Sequence, residues 1–185
     1  MNQKVQSLWE KLEQDRLSLF QFLEKQDPSV LNKKPAPDKW SVNQNIFHLI
    51  GAESASMAYM KKKLSFGTDD LPQAGFKSRW RRFMLRAAFA LPLKFKAPPQ
   101  LDKIPDDLNF EELKQRWASL RAEYYDFLKD MPDTMVTAEL WRHQIAGKMT
   151  ILQMIDFFED HVNRHKSQIE RTLVMVNNLM VNGEW

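Results

Sequence analysis

Apolar residues recur at steps of three and four along most of this chain, and the runs sort into helices. Val5, Leu8, Trp9, Leu12, Leu19, Phe20 and Leu23 form one stripe, which predicts a first helix from about residue 4 to about residue 25. Asp27-Pro28 closes it, and Pro35 and Pro37 make the following stretch a loop. Ser41 followed by Gln44 is a capping-box pattern that opens a second run, Val42 to about Leu64. Gly67 to Gly75, with Asp69, Asp70 and Pro72, reads as turns. A shorter amphipathic stretch then puts Phe76, Trp80, Phe83, Met84, Ala87 and Leu91 on one face before Pro92 ends it, and Pro98, Pro99 and Pro105 stiffen the next loop. Asn109 caps a third long run whose seam is Phe110, Leu113, Trp117, Leu120, Tyr124, Phe127 and Met131, stopped by Pro132. Thr150 with Gln153 repeats the capping box and opens a last helix to about Val181, striped by Ile151, Met154, Ile155, Phe158, Val162, Ile169, Leu173, Val176 and Met180.

No strand-length alternation competes with these runs, so the expected class is all-α. Four long helices joined by unequal loops predict a four-helix bundle, with an extra short amphipathic helix in the connection between the second and third long helices. At 185 residues and 43% hydrophobic content the chain fits one domain, residues 1–185.

Composition narrows the chemistry. There is no cysteine, so disulfides and thiolate metal sites are excluded and any metal falls to His, Asp, Glu or amide oxygens. Charge enters every turn of the N-terminal region and no run of about 18 uncharged apolar residues occurs, so a soluble, cytoplasmic protein without stable membrane insertion is expected. The net charge of +3, from 27 basic and 24 acidic residues, is too small to imply nucleic acid, and no nucleic-acid motif is present. Locally the balance shifts: Lys77, Arg79, Arg81, Arg82, Arg86, Lys94 and Lys96 share residues 76–96 with no acid. That segment reads as a cap on the bundle with solvated arginines, as a cationic flap over a site, or as a contact for anionic membrane.

Of the four histidines, His161 and His165 stand four apart on the last helix, which leaves about 40° and about 6 Å between them. Both fall on the inward stripe, where an imidazole without a partner is costly. The spacing alone also fits a hydrogen-bonded core pair or an exposed pair. His48 flanks the Ile46, Leu49, Ala52 stripe of the second helix, and periodicity leaves open whether it faces the last one. His143, with Trp141 and Arg142, reads as an exposed loop residue, with contact to a substrate or to a metal ligand as the other options. Gln168 and Arg164 read as ordinary helix-surface residues, with orientation of His165 by Gln168 and contact with an anion by Arg164 as the other options. Glu53 and Asp160 are offset from the ligand direction and do not read as ligands, which leaves open whether either partners a ligand histidine.

The run Lys39-Trp40-Ser41-Val42 leading to Ile46, His48 and Leu49, with Asp160-His161-Val162-Asn163-Arg164-His165-Lys166-Ser167-Gln168-Ile169 far downstream, resembles the DinB/YfiT-like superfamily. Lys94-Phe95-Lys96-Ala97-Pro98 and the His143, Gly147, Thr150 run add to the likeness, which spans nearly the whole chain. Gln144 departs from the pattern, since many relatives carry proline there.

The resemblance implies one divalent metal ion on His48, His161 and His165, with zinc or nickel the leading candidates and manganese or iron the others. No catalytic residue is implied beyond the water or thiol on that ion. It further implies a thiol S-transferase or metal-dependent hydrolase acting on a small electrophilic molecule, with a small-molecule thiol as partner, and a homodimer. The rival expectation is a non-catalytic metal-binding or stress-associated bundle protein.

Overall fold

Four polar side chains set the starts of the long helices. Asn2 accepts from the backbone N–H groups of Lys4 and Val5 at the head of α1 (Gln3–Leu23). Ser41 and Gln44 close a reciprocal capping box on α2 (Val42–Leu64). Asn109 accepts from Glu112 N at the head of α4 (Phe110–Lys129), and Thr150 with Gln153 forms a second box on α6 (Ile151–Val181). In each case a side-chain oxygen satisfies a backbone donor that the helix itself leaves free. Between them lie α3 (Phe76–Ala90), the single turn α5 (Asp133–Val136) and a small antiparallel hairpin, β1 (Trp141–His143) with β2 (Gly147–Met149). This computed structural model describes residues 1–68, 71–90 and 104–183. Asp69, Asp70, Leu91, Pro92, Pro98, Pro99 and the Lys94-Phe95-Lys96-Ala97-Pro98 run lie outside the described residues.

The predicted stripes become the core of an all-α four-helix bundle. α6 packs along α1 and α2, and α2 packs on α4. Trp117, Tyr124, Phe158, Leu12, Leu19 and Ile46 are among its largest fully buried side chains. Leu128 replaces Phe127 as the deepest residue late in α4, and Met180, near the end of α6, is 38% exposed. Among the described residues no helix is long and apolar enough to cross a membrane.

One buried charge pair ties three helices. Glu53 on α2 accepts two bonds from Arg121, at 2.8 and 2.7 Å, and one from Trp117 Nε1 at 2.9 Å. Its backbone oxygen accepts from Tyr124 O–H at 2.8 Å, and burial, then the Glu53 charge, pushes that phenol well above its usual range. Arg121 also lies 3.8 Å from Glu13 of α1. A carboxylate this deep is tolerable because both oxygens are answered.

The start of α2 is held as firmly. Asn43 Nδ2 donates to Leu108 O at 2.8 Å and to Asn32 Oδ1 at 3.0 Å, and Gln44 Nε2 donates to Pro105 O at 3.1 Å. The loop before α4 is thereby stitched to the turn that carries Trp40.

The amphipathic helix departs from the simplest reading of its stripe. α3 rests against α6 and β2, yet its buried residues are Ser78, Arg82 and Leu85. Arg82 reaches Asp156 at 2.7 Å and Asp160 at 2.6 Å on α6. The arginine side is therefore docked, and the reading of solvated arginines fails for Arg82.

Candidate metal centre

α2 and α6 meet where they carry their histidines. His48, His161 and His165 are 6%, 8% and 6% exposed, and one ring nitrogen of each lies within 4.8 Å of the others. His48 Nε2 is 3.2 Å from His161 Nε2. Two imidazole nitrogens on a tetrahedral ion, with bonds of about 2.0–2.1 Å, stand about 3.3 Å apart, so the spacing of this pair fits such an ion. No acid joins this group among the described residues.

Each ring is held differently. Asn45 Nδ2 donates to Ser41 O at 2.8 Å, and a carbonyl oxygen can only accept, so the amide is fixed with its oxygen toward α6. That oxygen is 2.8 Å from His165 Nδ1, which must therefore carry the proton and leave Nε2 as the donor to an ion. His48 Nδ1 has no hydrogen-bond partner among the described residues, and its ring is positioned by Trp40 at 4.9 Å between centroids. Trp40 also stacks on His165, at 6.1 Å and 15°. His161 stacks on Phe157 at 5.3 Å and 22°, with Phe89 edge-on at 6.1 Å.

Burial sets the protonation states. It pushes His48 down to about 4 and holds His161 and His165 well below the ordinary imidazole value, with the charges of neighbouring histidines and Arg164 adding to the effect. All three are neutral at pH 7, the form that ligates a metal.

The other expected residues are placed as follows. His143 is half-buried on β1, not an exposed loop residue. Its Nδ1 accepts from Ile145 N at 3.3 Å and Ala146 N at 3.1 Å, so the proton sits on Nε2. Its ring lies 4.8 Å from Phe157, and burial, then Arg82, pushes it down to about 4. Gly147 enables this hairpin: its φ is +89°, a backbone conformation that residues with a Cβ rarely adopt. Glu53 and Asp160 serve Arg121 and Arg82 respectively, so neither is the partner of a ligand histidine. Gln168 is half-buried, and Asn45 is what orients His165. Arg164 donates to Phe89 O at 3.2 Å and lies over that ring at 5.3 Å, on the His161 side of the cluster. Sequence reasoning missed Asn45. The available signal was a poor helix former standing three positions before His48, inside a helix rather than at its cap.

A bundle of long helices with three inward imidazoles, from its second and last members, defines a helical protein with a preformed histidine cluster. This chain belongs to the DinB superfamily, whose sequence signature matches residues 11–169 and so includes all three rings. It is 23% identical over 155 residues to YuaE of Bacillus subtilis (strain 168), a protein described as uncharacterized, spanning 84% of this chain and 90% of YuaE. Its structure is similar to that of YfiT from Bacillus subtilis, over 100% of this chain and 90% of YfiT, with a TM-score of 0.58 and 14% identity. YfiT is described as a probable metal-dependent hydrolase with an unusual four-helix bundle topology. At that identity the likeness establishes the fold.

Proposed function

We propose that this protein is a divalent-metal-dependent enzyme, with His48, His161 and His165 as the metal ligands and a small electrophilic molecule as substrate. One observation carries the reading: three neutral, buried ring nitrogens converge with no fourth His, Cys, Asp or Glu beside them among the described residues. Structural metal sites are normally closed by four protein ligands, whereas three leave a position open to solvent or substrate. A divalent ion there supplies a Lewis acid that lowers the pKa of water in the open position to about 7, or activates a thiol in the same place. Three imidazoles suit zinc, nickel or iron, while manganese favours oxygen ligands and is the poorest match.

The chain's own residues supply the setting. Asn45 holds His165 in one tautomer. Trp40, Phe89 and Phe157 wall the rings, limit water and lower the local dielectric. Arg164 places positive charge near His161 and His165, which favours an anionic reactant such as a thiolate. Glu53 and Asp160 are committed to arginines and are not free to act as bases. That arrangement supports thiol transfer alongside hydrolysis. The depth of the three rings also suits a second reading, in which a metal only staples α2 to α6.

Elemental analysis of untagged wild type and His161→Ala tests the proposal. About one equivalent of divalent metal in the wild type and none in the variant is expected. Azide or a thiol should then perturb the spectrum of the cobalt-substituted protein, whereas an inert spectrum assigns the ion to the stapling role. A wild type that is empty and refuses added zinc and nickel overturns the reading.

A further inference from the structure

We propose that the outward face of α3 docks on an anionic lipid surface, independently of what the histidine cluster does. At about 100° per residue, Phe83, Phe76, Ala87, Trp80 and Met84 fall within an arc of about 100° on this helix. The arc faces away from the bundle: Phe76 is 72%, Trp80 53%, Phe83 60% and Met84 48% exposed. Phe76 stacks on Trp80 at 6.5 Å, and Trp80 meets Phe83 at 5.7 Å, so the rings form one strip along the outside. A contiguous exposed aromatic face of this kind, held in register on a helical bundle, marks a docking surface.

Charge decides the occupant. Arg79 and Arg86 border the arc on one side and Lys77 and Arg81 on the other, and residues 76–96 contain no acid. The acids that meet α3 from the hairpin side and from α6 are Glu139, Asp156 and Asp160, engaged by Arg81, Arg82 and Arg86. Lys77 and Arg79 are exposed and make no ion pair among the described residues. A second copy seated face to face would bring these cationic borders together. An apolar strip with cations on both sides matches headgroups that are anionic and chain ends that are apolar, the geometry of a helix lying in the interface plane. Arg82, 6% exposed and paired to α6, fixes the rotation of α3 that presents the strip, so the face is formed before it meets lipid.

The test is co-sedimentation of the full chain with phosphatidylcholine vesicles prepared with and without phosphatidylglycerol. Binding to the anionic vesicles, about tenfold weaker on phosphatidylcholine alone and weakened by salt, is expected. Trp80→Ser/Phe83→Ser and, separately, Lys77→Glu/Arg79→Glu should each reduce binding about tenfold with helical circular dichroism unchanged. If the aromatic variant loses helix, the charge variant decides. Failure of the wild type to bind anionic vesicles overturns the proposal, as does unchanged binding by the charge variant. So does a dimer that dissociates in the aromatic variant while the wild type ignores vesicles, which assigns the face to a second copy. Trp80 fluorescence that is already blue-shifted and unquenchable without lipid also overturns it, by assigning the face to residues 91–103.

Discussion

Asn45 Oδ1 stands 2.8 Å from His165 Nδ1, joining the first turn of α2 to a ring 120 residues away on α6. The same amide is anchored to Ser41 O, so the capping turn of α2 and the tautomer of His165 are set by one side chain. Partners that orient a ligating histidine typically contribute about 10–100-fold to metal affinity. Asn45→Ala is therefore expected to weaken zinc binding by about that factor in a chelator competition titration, and Asn45→Asp, which keeps the acceptor, to retain it. Equal affinities for Asn45→Ala and wild type would remove Asn45 from this role.

The buried imidazoles give the metal-free protein a definite acid response. His48 and His143 are held at about 4, and His161 and His165 well below 6.5. Between about pH 6.5 and about pH 4 the unfolded chain takes up protons that the folded chain refuses, so stability falls as pH falls through that window. Above about 6.5 both states are neutral at these rings and they contribute no slope. Urea midpoints of chelator-treated protein at about pH 7 and about pH 5 should differ, and His161→Phe should narrow the gap. Midpoints that do not move with pH would contradict the burial of these rings.

Glu53 and Arg121, each 2% exposed, are stabilising only as a pair. Glu53→Gln leaves the buried guanidinium with only the more distant Glu13 carboxylate, 3.8 Å away, and is expected to cost about 3–5 kcal/mol in urea unfolding. Glu53→Leu/Arg121→Met should recover most of that loss, because two charges no longer need to be desolvated. A single variant as stable as the wild type would mean that water reaches this pair.

Arg82→Ala should loosen α3 selectively. The side chain donates to Asp156 O at 3.0 Å and to Asp160 at 2.6 Å, and charged hydrogen bonds of this kind contribute about 1.5–3 kcal/mol each. Hydrogen exchange across Phe76–Ala90 is expected to accelerate while α2 and α6 keep their protection. Uniform acceleration along the chain would instead make Arg82 a support of the whole bundle.

Much of the framework was legible in the residues because it is local. Ser41 with Gln44 and Thr150 with Gln153 marked where α2 and α6 begin, since a capping box is decided within four residues. Periodicity aimed His161 and His165 inward, because a helix fixes the direction of every side chain once one face is buried. The three-residue strands β1 and β2 were invisible to it, being too short to show alternation.

The helices, their buried faces and the inward pair on α6 follow from local residue pattern. Tertiary structure alone decided that His48 points at that pair, that Asn45 holds His165, and that α3 docks by Arg82 with its aromatic strip outward. The physical reason is the same in each case. A buried polar group takes its orientation from the partner that satisfies it, and here those partners, Asn45 for His165 and Asp156 and Asp160 for Arg82, lie far away in the chain. For α3 the outcome ran against apolar content alone, because two carboxylates on α6 answered Arg82, while Trp80 stays half exposed among the described residues.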